Sequence, residues 1–288
     1  MTTRKKGFTI IEIMTVVAII AILIGILIPA LAKVRTMVKE TQQKAQLNTI
    51  GLALTAFRND YGDYPPSDYI DLGQETYSGA QMLSEALLGW DLMGFHPKSA
   101  WRADGKDSSD NDLYEIATDS SYTPQEQEQN LKERKDIYLQ DGTKYAFEIG
   151  DLFTIDNKDL DPNTFVICDV FDDFQKIGQT RIGAPILYYK ANTNNKTIDY
   201  KSYKDSDLIY NANDNLMVIK AKEEQDGQNI EHPLGAVSAG EYKQFYDFIR
   251  DPKIPDPSFR PYRPDTYLLI SAGADGIYGT NDDITNFK

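Results

Sequence analysis

The sequence predicts an α+β protein in which a long N-terminal helix packs on a small, mainly antiparallel sheet carrying a large inserted region. Three observations predict it. An uncharged apolar run over residues 13–32 passes into an amphipathic stretch that ends at YGDYPPSD. Short runs rich in β-branched and aromatic residues recur far downstream, as strands require. Between the two lies an acidic, polar tract with few apolar residues.

The elements follow in order. Residues 13–32 at ~1.5 Å per residue reach roughly 30 Å, the thickness of a bilayer's hydrocarbon core. Arg4, Lys5 and Lys6 precede them, which predicts a cytoplasmic N-terminus and an exported remainder. Glu12 sits at the front edge of this run, where a carboxylate costs on the order of a few kcal/mol and calls for a partner. Pro29, with Gly25 before it, predicts a kink or a melted turn. Leu47, Ile50, Leu54, Phe57 and Tyr61 recur at spacings of three and four and make one apolar helical face. The helix is therefore expected over 8–61, with 8–32 in the membrane, until Gly62 and Pro65-Pro66 stop it.

Residues 78–94 predict a second helix with Met82, Leu83, Ala86 and Leu87 on its apolar face. Residues 104–144 predict an exposed insertion, partly helical or mobile. Strands are expected at 164–171, 185–191, 214–221 and 266–272, and a helix at 239–249. Prolines at 252, 255, 257, 261 and 264 predict an extended linker. The organisation is thus a leader (1–7), the long helix (8–61), a head (62–265, most polar over about 95–160) and a C-terminal strand and loop (266–288).

A formal charge of −14 disfavours nucleic acid as a partner and favours cations. The single cysteine, Cys168, excludes an intrachain disulfide framework and reads as a buried strand residue. His96 and His232 are far apart, each followed by proline, and no nucleophile elbow, phosphate loop or zinc-protease motif is present. A non-catalytic protein is expected. The loop over 272–287 combines Gly273, Gly276 and Gly279 with Asp275, Asn281, Asp282 and Asp283. Flexible carboxylate loops suit calcium, although Asp and Asn also serve plain turn chemistry.

Lys5-Lys6-Gly7-Phe8-Thr9-Ile10-Ile11-Glu12 resembles the prepilin cleavage motif of type IV pilins and type II secretion pseudopilins. The resemblance implies cleavage after Gly7 by a prepilin peptidase that also N-methylates Phe8. It makes Glu12 the fifth mature residue and Pro29 the twenty-second. In the assembled fibre it implies that Glu12 meets the Phe8 amine of a neighbouring subunit. The C-terminal loop is similar to the calcium loop of major pseudopilins, which implies Ca2+ held by Asp275, Asp282 and Asp283. Implied partners are copies of this chain, other pseudopilins, the peptidase and an inner-membrane platform with its ATPase; the implied location is the inner membrane with a periplasmic head. Two alternatives stand: a type IV pilus subunit, or an exported calcium- or carbohydrate-binding protein cleaved at Ala30-Leu31-Ala32.

Overall fold

A computed structural model of the chain describes residues 9–68, 70–71, 76–153, 160–171, 174–175, 181–195, 208–226, 230–236, 242–254 and 260–288. It opens with α1 (Ile10–Tyr61), one helix of 52 residues. No melted turn interrupts it at Pro29, so of the kink or melted turn expected there the second is absent. A proline removes one ladder hydrogen bond, and the turns on either side carry the helix through. The chain divides into two compact units, Met1–Thr41 and Gln42–Lys288. In the first, Ile13, Val16, Val17, Ile20, Leu23, Ile24 and Leu27 are all exposed, on a helix long and apolar enough to cross a membrane.

In the second unit Leu47, Ile50, Leu54 and Phe57 are buried, as their spacing predicts, and Tyr61 is half-buried. Each such side chain contributes roughly 1.5–3 kcal/mol on burial. Gly62, at φ +86°, takes the left-handed conformation that ends the helix. β1 (Ile70–Asp71) pairs with β2 (Thr76–Tyr77). Then α2 (Gly79–Leu88) begins at a reciprocal cap between Ser78 and Gln81. All ten residues of α2 are buried, so its polar residues Gln81, Ser84 and Glu85 lie inside as well. It stops at Gly89, short of residue 94, because the chain turns at φ +93° there. A Cβ at that glycine would lie 2.4 Å from the Gly94 carbonyl oxygen.

The polar tract that follows is anchored rather than loose. It contains α3 (Pro124–Glu133), and Leu113, Tyr114, Asn130, Arg134 and Leu139 are buried within or beside it. Arg134 Nη1 pairs with Asp91 Oδ2 at 2.6 Å, and its guanidinium lies over the Tyr114 ring. These anchors are single residues in a polar sequence, so composition hides them.

β3 (Ala146–Glu148) leads into α4 (Ile149–Leu152) and pairs antiparallel with β4 (Phe165–Ile167). β5 (Phe174–Gln175) pairs with β6 (Arg181–Ile182). After β7 (Leu187–Lys190), the run expected as a strand at 214–221 forms α5 (Leu216–Asp226) instead. A short apolar run does not separate strand from helix, and the KAKEEQ that continues it favours helix. α6 (Lys243–Ile249), β8 (Tyr267–Ser271) and β9 (Ile284–Thr285) complete the described elements.

β7, β8 and β9 form an antiparallel sheet in which Leu187 faces Ile270 and Ile270 faces Thr285 across the strands. The Ile186 amide donates to the Ile167 carbonyl at 2.8 Å, joining β4 to the front of β7. Side chains alternate across this sheet with period two. Tyr188, Tyr267 and Leu269 pack with Leu47, Ile50 and Leu54 of α1. Leu187, Tyr189, Leu268 and Ile270 pack on the other face with Val218, Ile219, Phe245 and Ile249. The result is the predicted α+β arrangement, a long N-terminal helix with small antiparallel sheets, but its sheet is covered on both faces.

Candidate functional site

Gly7 and Phe8 lie outside the described residues. Glu12 lies inside them, and its carboxylate has a local partner that the sequence reading missed. Glu12 Oε2 accepts from the Thr9 amide at 2.7 Å and from the Thr9 hydroxyl at 2.8 Å. The Glu12 amide donates back to Thr9 Oγ1 at 3.3 Å. Thr9-x-x-Glu12 is therefore a capping box, a signal present in the sequence as Thr followed three residues later by Glu. It satisfies amides at the end of α1 that would otherwise lack acceptors. The carboxylate stays exposed and open to a second partner.

The C-terminal loop bears out the need for its glycines: Gly273, Gly276 and Gly279 have φ of +72°, +70° and +101°. A Cβ at Gly273 would lie 2.4 Å from the Asp282 carbonyl oxygen. Asp282 Oδ2 accepts from the Ala274 and Asp275 amides at 2.8 and 2.9 Å, and Oδ1 accepts from the Thr280 hydroxyl at 2.5 Å. Asp275 Oδ1 accepts from the Ile277 amide. Asp283 turns to the Gly279 and Thr280 amides, at 2.8 and 3.2 Å.

The loop thus brings Asp275 and Asp282 within reach of each other, and the Thr280 hydroxyl that donates to Asp282 also lies 3.4 Å from Asp283 Oδ1. Among the described residues, no three Asp, Glu, His or Cys side chains are grouped closely enough to hold a metal ion by themselves. Burial, with Asp282 beside it, raises Asp275 above the usual carboxylate range. Burial pushes Asp282 upwards too, but the Thr280 hydroxyl and the two amides outweigh it and hold that group low. Burial raises Asp283 to about 7, against the two amides that favour its charged form.

Further polar groups converge around this loop. The Tyr278 amide donates to His232 Nδ1 at 3.0 Å, and His232 Nε2 faces Asp226 Oδ2 at 3.1 Å. Lys222 Nζ contacts both oxygens of Asp226, at 2.7 and 2.6 Å. An imidazole that accepts at Nδ1 carries its proton at Nε2, so it can donate to Asp226. The chain Lys222–Asp226–His232–Tyr278 fixes the loop to α5. His232 is wholly buried despite the proline after it, and nothing in its local sequence marks it for this task. Asp169 is buried, and it accepts the Ser271 hydroxyl at 2.7 Å and the Phe171 and Ala184 amides at 3.1 Å. Cys168 is buried and free, its thiol pushed up by burial.

The N-terminal portion matches the family described as Prokaryotic N-terminal methylation motif over residues 2–28. No curated protein and no solved structure matches the chain. The motif marks the chain as a type IV pilin-like or pseudopilin substrate. It implies processing by the prepilin peptidase and assembly into pilin-like polymers. The apolar first part of α1 fits the single-pass anchor such proteins use.

Proposed function

We propose that the chain is a pseudopilin of a type II secretion-like system, in the class of the major subunit. It is cleaved after Gly7, methylated on Phe8 and held in the inner membrane with its head in the periplasm. An ATP-driven platform then draws it, with other pseudopilins, into a fibre that moves folded proteins outward. Its work is mechanical, not catalytic. The observation that carries the reading is the methylation motif over residues 2–28, with Glu12 five residues beyond Gly7 at the head of an exposed apolar helix. In a low dielectric an unpaired carboxylate is costly, so the Phe8 amine of a neighbouring copy would favour one stagger over all others. The lone Cys168 supports this over a pilus subunit with a disulfide-bonded C-terminal loop.

The reading extends to calcium at the C-terminal loop. The donors there are all hard oxygens, and two carboxylates within reach of each other suit a divalent cation. Asp275 and Asp282 would hold the ion, with Asp283 adding charge from its own turn and backbone carbonyls completing the shell. Bound calcium supplies charge neutralisation and stiffens the loop.

Mass spectrometry of the mature N-terminal peptide tests the processing. Methylated Phe8 is expected; a start at Lys33 would replace the reading with an exported, signal-cleaved protein. Deleting the gene separates the two fibres: secreted enzymes trapped in the periplasm support the secretion role, and loss of surface pili with normal secretion refutes it. For calcium, a rise in melting temperature with Ca2+ over chelator is expected, absent in Asp282→Ala.

A further inference from the structure

Four successive amides of the C-terminal loop each meet a side-chain acceptor. The Ile277 amide donates to Asp275 Oδ1 at 2.8 Å, and the Gly279 and Thr280 amides donate to Asp283 at 2.8 and 3.2 Å. Between them, the Tyr278 amide donates to His232 Nδ1 at 3.0 Å. Three of these contacts go to carboxylates of the loop itself. The fourth goes to a residue 46 positions earlier in the chain, in the segment that follows α5.

α5 holds His232 from two sides. The His232 amide donates to Glu223 Oε1 at 2.9 Å, and its Nε2 faces Asp226 Oδ2 at 3.1 Å. The ring itself is wholly buried. The loop in turn lies directly on the residues after His232. The Leu234 amide donates to the Tyr278 carbonyl at 3.3 Å, and a Cβ added at Gly279 would lie 2.7 Å from the Pro233 Cβ. Both peptide planes of Tyr278 are therefore fixed from outside the loop, one at its N–H and the other at its carbonyl.

A planar peptide turns as one unit. With the plane between Ile277 and Tyr278 free to turn, the amide on one side could leave Asp275 and the amide on the other could leave Asp283. His232 thus sets the spacing between the two ends of the segment on which these carboxylates rest. A cation that finds its oxygens already placed binds without the cost of ordering them.

We propose that His232 is a positioning residue for the cation: through the Tyr278 amide it keeps Asp275 and Asp283 at the separation that the ion needs. The role rests on the calcium reading of the loop, and it gives that loop a determinant of affinity that lies outside it.

The test is a calcium titration by calorimetry on the full chain in micelles of an uncharged detergent, taking the binding that Asp282→Ala removes. Two variants divide the imidazole between them. His232→Asn puts an amide oxygen where the ring has Nδ1, so it keeps an acceptor for Tyr278 and loses the Asp226 contact. His232→Gln puts an amide nitrogen where the ring has Nε2, so it keeps the Asp226 contact and loses Tyr278. His232→Gln should weaken calcium binding about tenfold, the scale of one lost buried hydrogen bond, and His232→Asn should stay within about threefold of wild type. A role confined to stability would move both alike, so equal affinities, or a greater loss in His232→Asn, would overturn the proposal. Amide exchange at Tyr278 in the wild-type chain needs no variant to fold. It should slow when calcium replaces chelator, and an unchanged rate would equally sink the role of His232. A wild-type chain that binds no calcium removes the calcium reading itself, and this inference with it.

Discussion

Glu85 is 1% exposed at the centre of α2 and accepts three hydroxyls: Tyr77 at 2.9 Å, Tyr114 at 2.8 Å and Ser99 at 2.5 Å. Burial outweighs these donors and raises its pKa from 4.5 to about 7. The sign follows from linkage. Below about pH 4.5 the group is protonated folded and unfolded alike, and it contributes no pH dependence. Between there and about 7 the unfolded chain releases its proton first, so stability falls as pH rises and then levels off. At ~1.4 kcal/mol per pH unit, the loss across this window is about 3 kcal/mol. Glu85→Gln removes the ionisation and keeps the shape. Wild type and variant should unfold in parallel near pH 4.5 apart from a constant offset. By pH 8 the variant should have gained about 3 kcal/mol relative to that offset. Urea unfolding of the full chain in micelles, followed by tryptophan fluorescence, reads this locally, because Trp90 stacks on Tyr114. Asp283 titrates in the same window, and only the difference between the two chains isolates Glu85. Curves that keep the same separation from pH 4.5 to 8 would refute the reasoning, since they would show Glu85 ionised in both states.

Three further outcomes are expected. Leu54→Ala, in the core between α1 and the sheet, should lose ~2–5 kcal/mol, while Leu52→Ala, 74% exposed two positions away, should stay within about 0.5 kcal/mol; urea midpoints compare them. His232→Ala leaves the Tyr278 amide without its acceptor and Asp226 without one donor, so it should lose ~1–3 kcal/mol, with faster amide exchange at Tyr278. Glu12→Gln keeps a cap on Thr9 while removing the charge. It should leave the micelle-bound chain's helix content unchanged yet abolish cross-linking between copies in the membrane; cross-linking at wild-type yield would sink the register role.

The sequence made some elements legible because a single physical pattern governed them. α1 follows one periodicity from Leu47 to Phe57 and one breaker at Gly62. The strands at β4, β7 and β8 announce themselves because a sheet covered on both faces produces unbroken apolar runs. The same property misled at α5, where LMVI is apolar because both sides of the element touch core, and only the charged residues after it favour helix. α2 was half legible: its apolar residues predicted a face, but Glu85 and Gln81 are buried by hydroxyl partners that come from far along the chain. His232 was invisible as a site residue for the same reason, since it acts through a contact that only the tertiary fold supplies. In the C-terminal loop the glycines were legible from turn stereochemistry. The different amides that Asp282 and Asp283 accept were not, because sequence adjacency does not fix which amides a carboxylate meets.

Glu12 joins the local and the assembled accounts. In one chain its carboxylate is not orphaned; it caps α1 through Thr9. A cap of this kind is worth ~0.5–2 kcal/mol. For the proposed fibre contact to set register, the amine of a neighbouring subunit must compete with that cap or share the carboxylate with it. A carboxylate has two oxygens and about four acceptor positions, and both Thr9 contacts go to Oε2 alone. Oε1 is therefore the atom with capacity for an incoming amine, and the cap need not open when the subunit joins. Such a contact would gain the attraction between opposite charges in a low dielectric without losing the helix start, and the cap would hold the carboxylate at a fixed height on α1. In the proposed fibre the box would thus have a use beyond the single helix: it would aim the one acidic side chain of the apolar segment before a partner arrives.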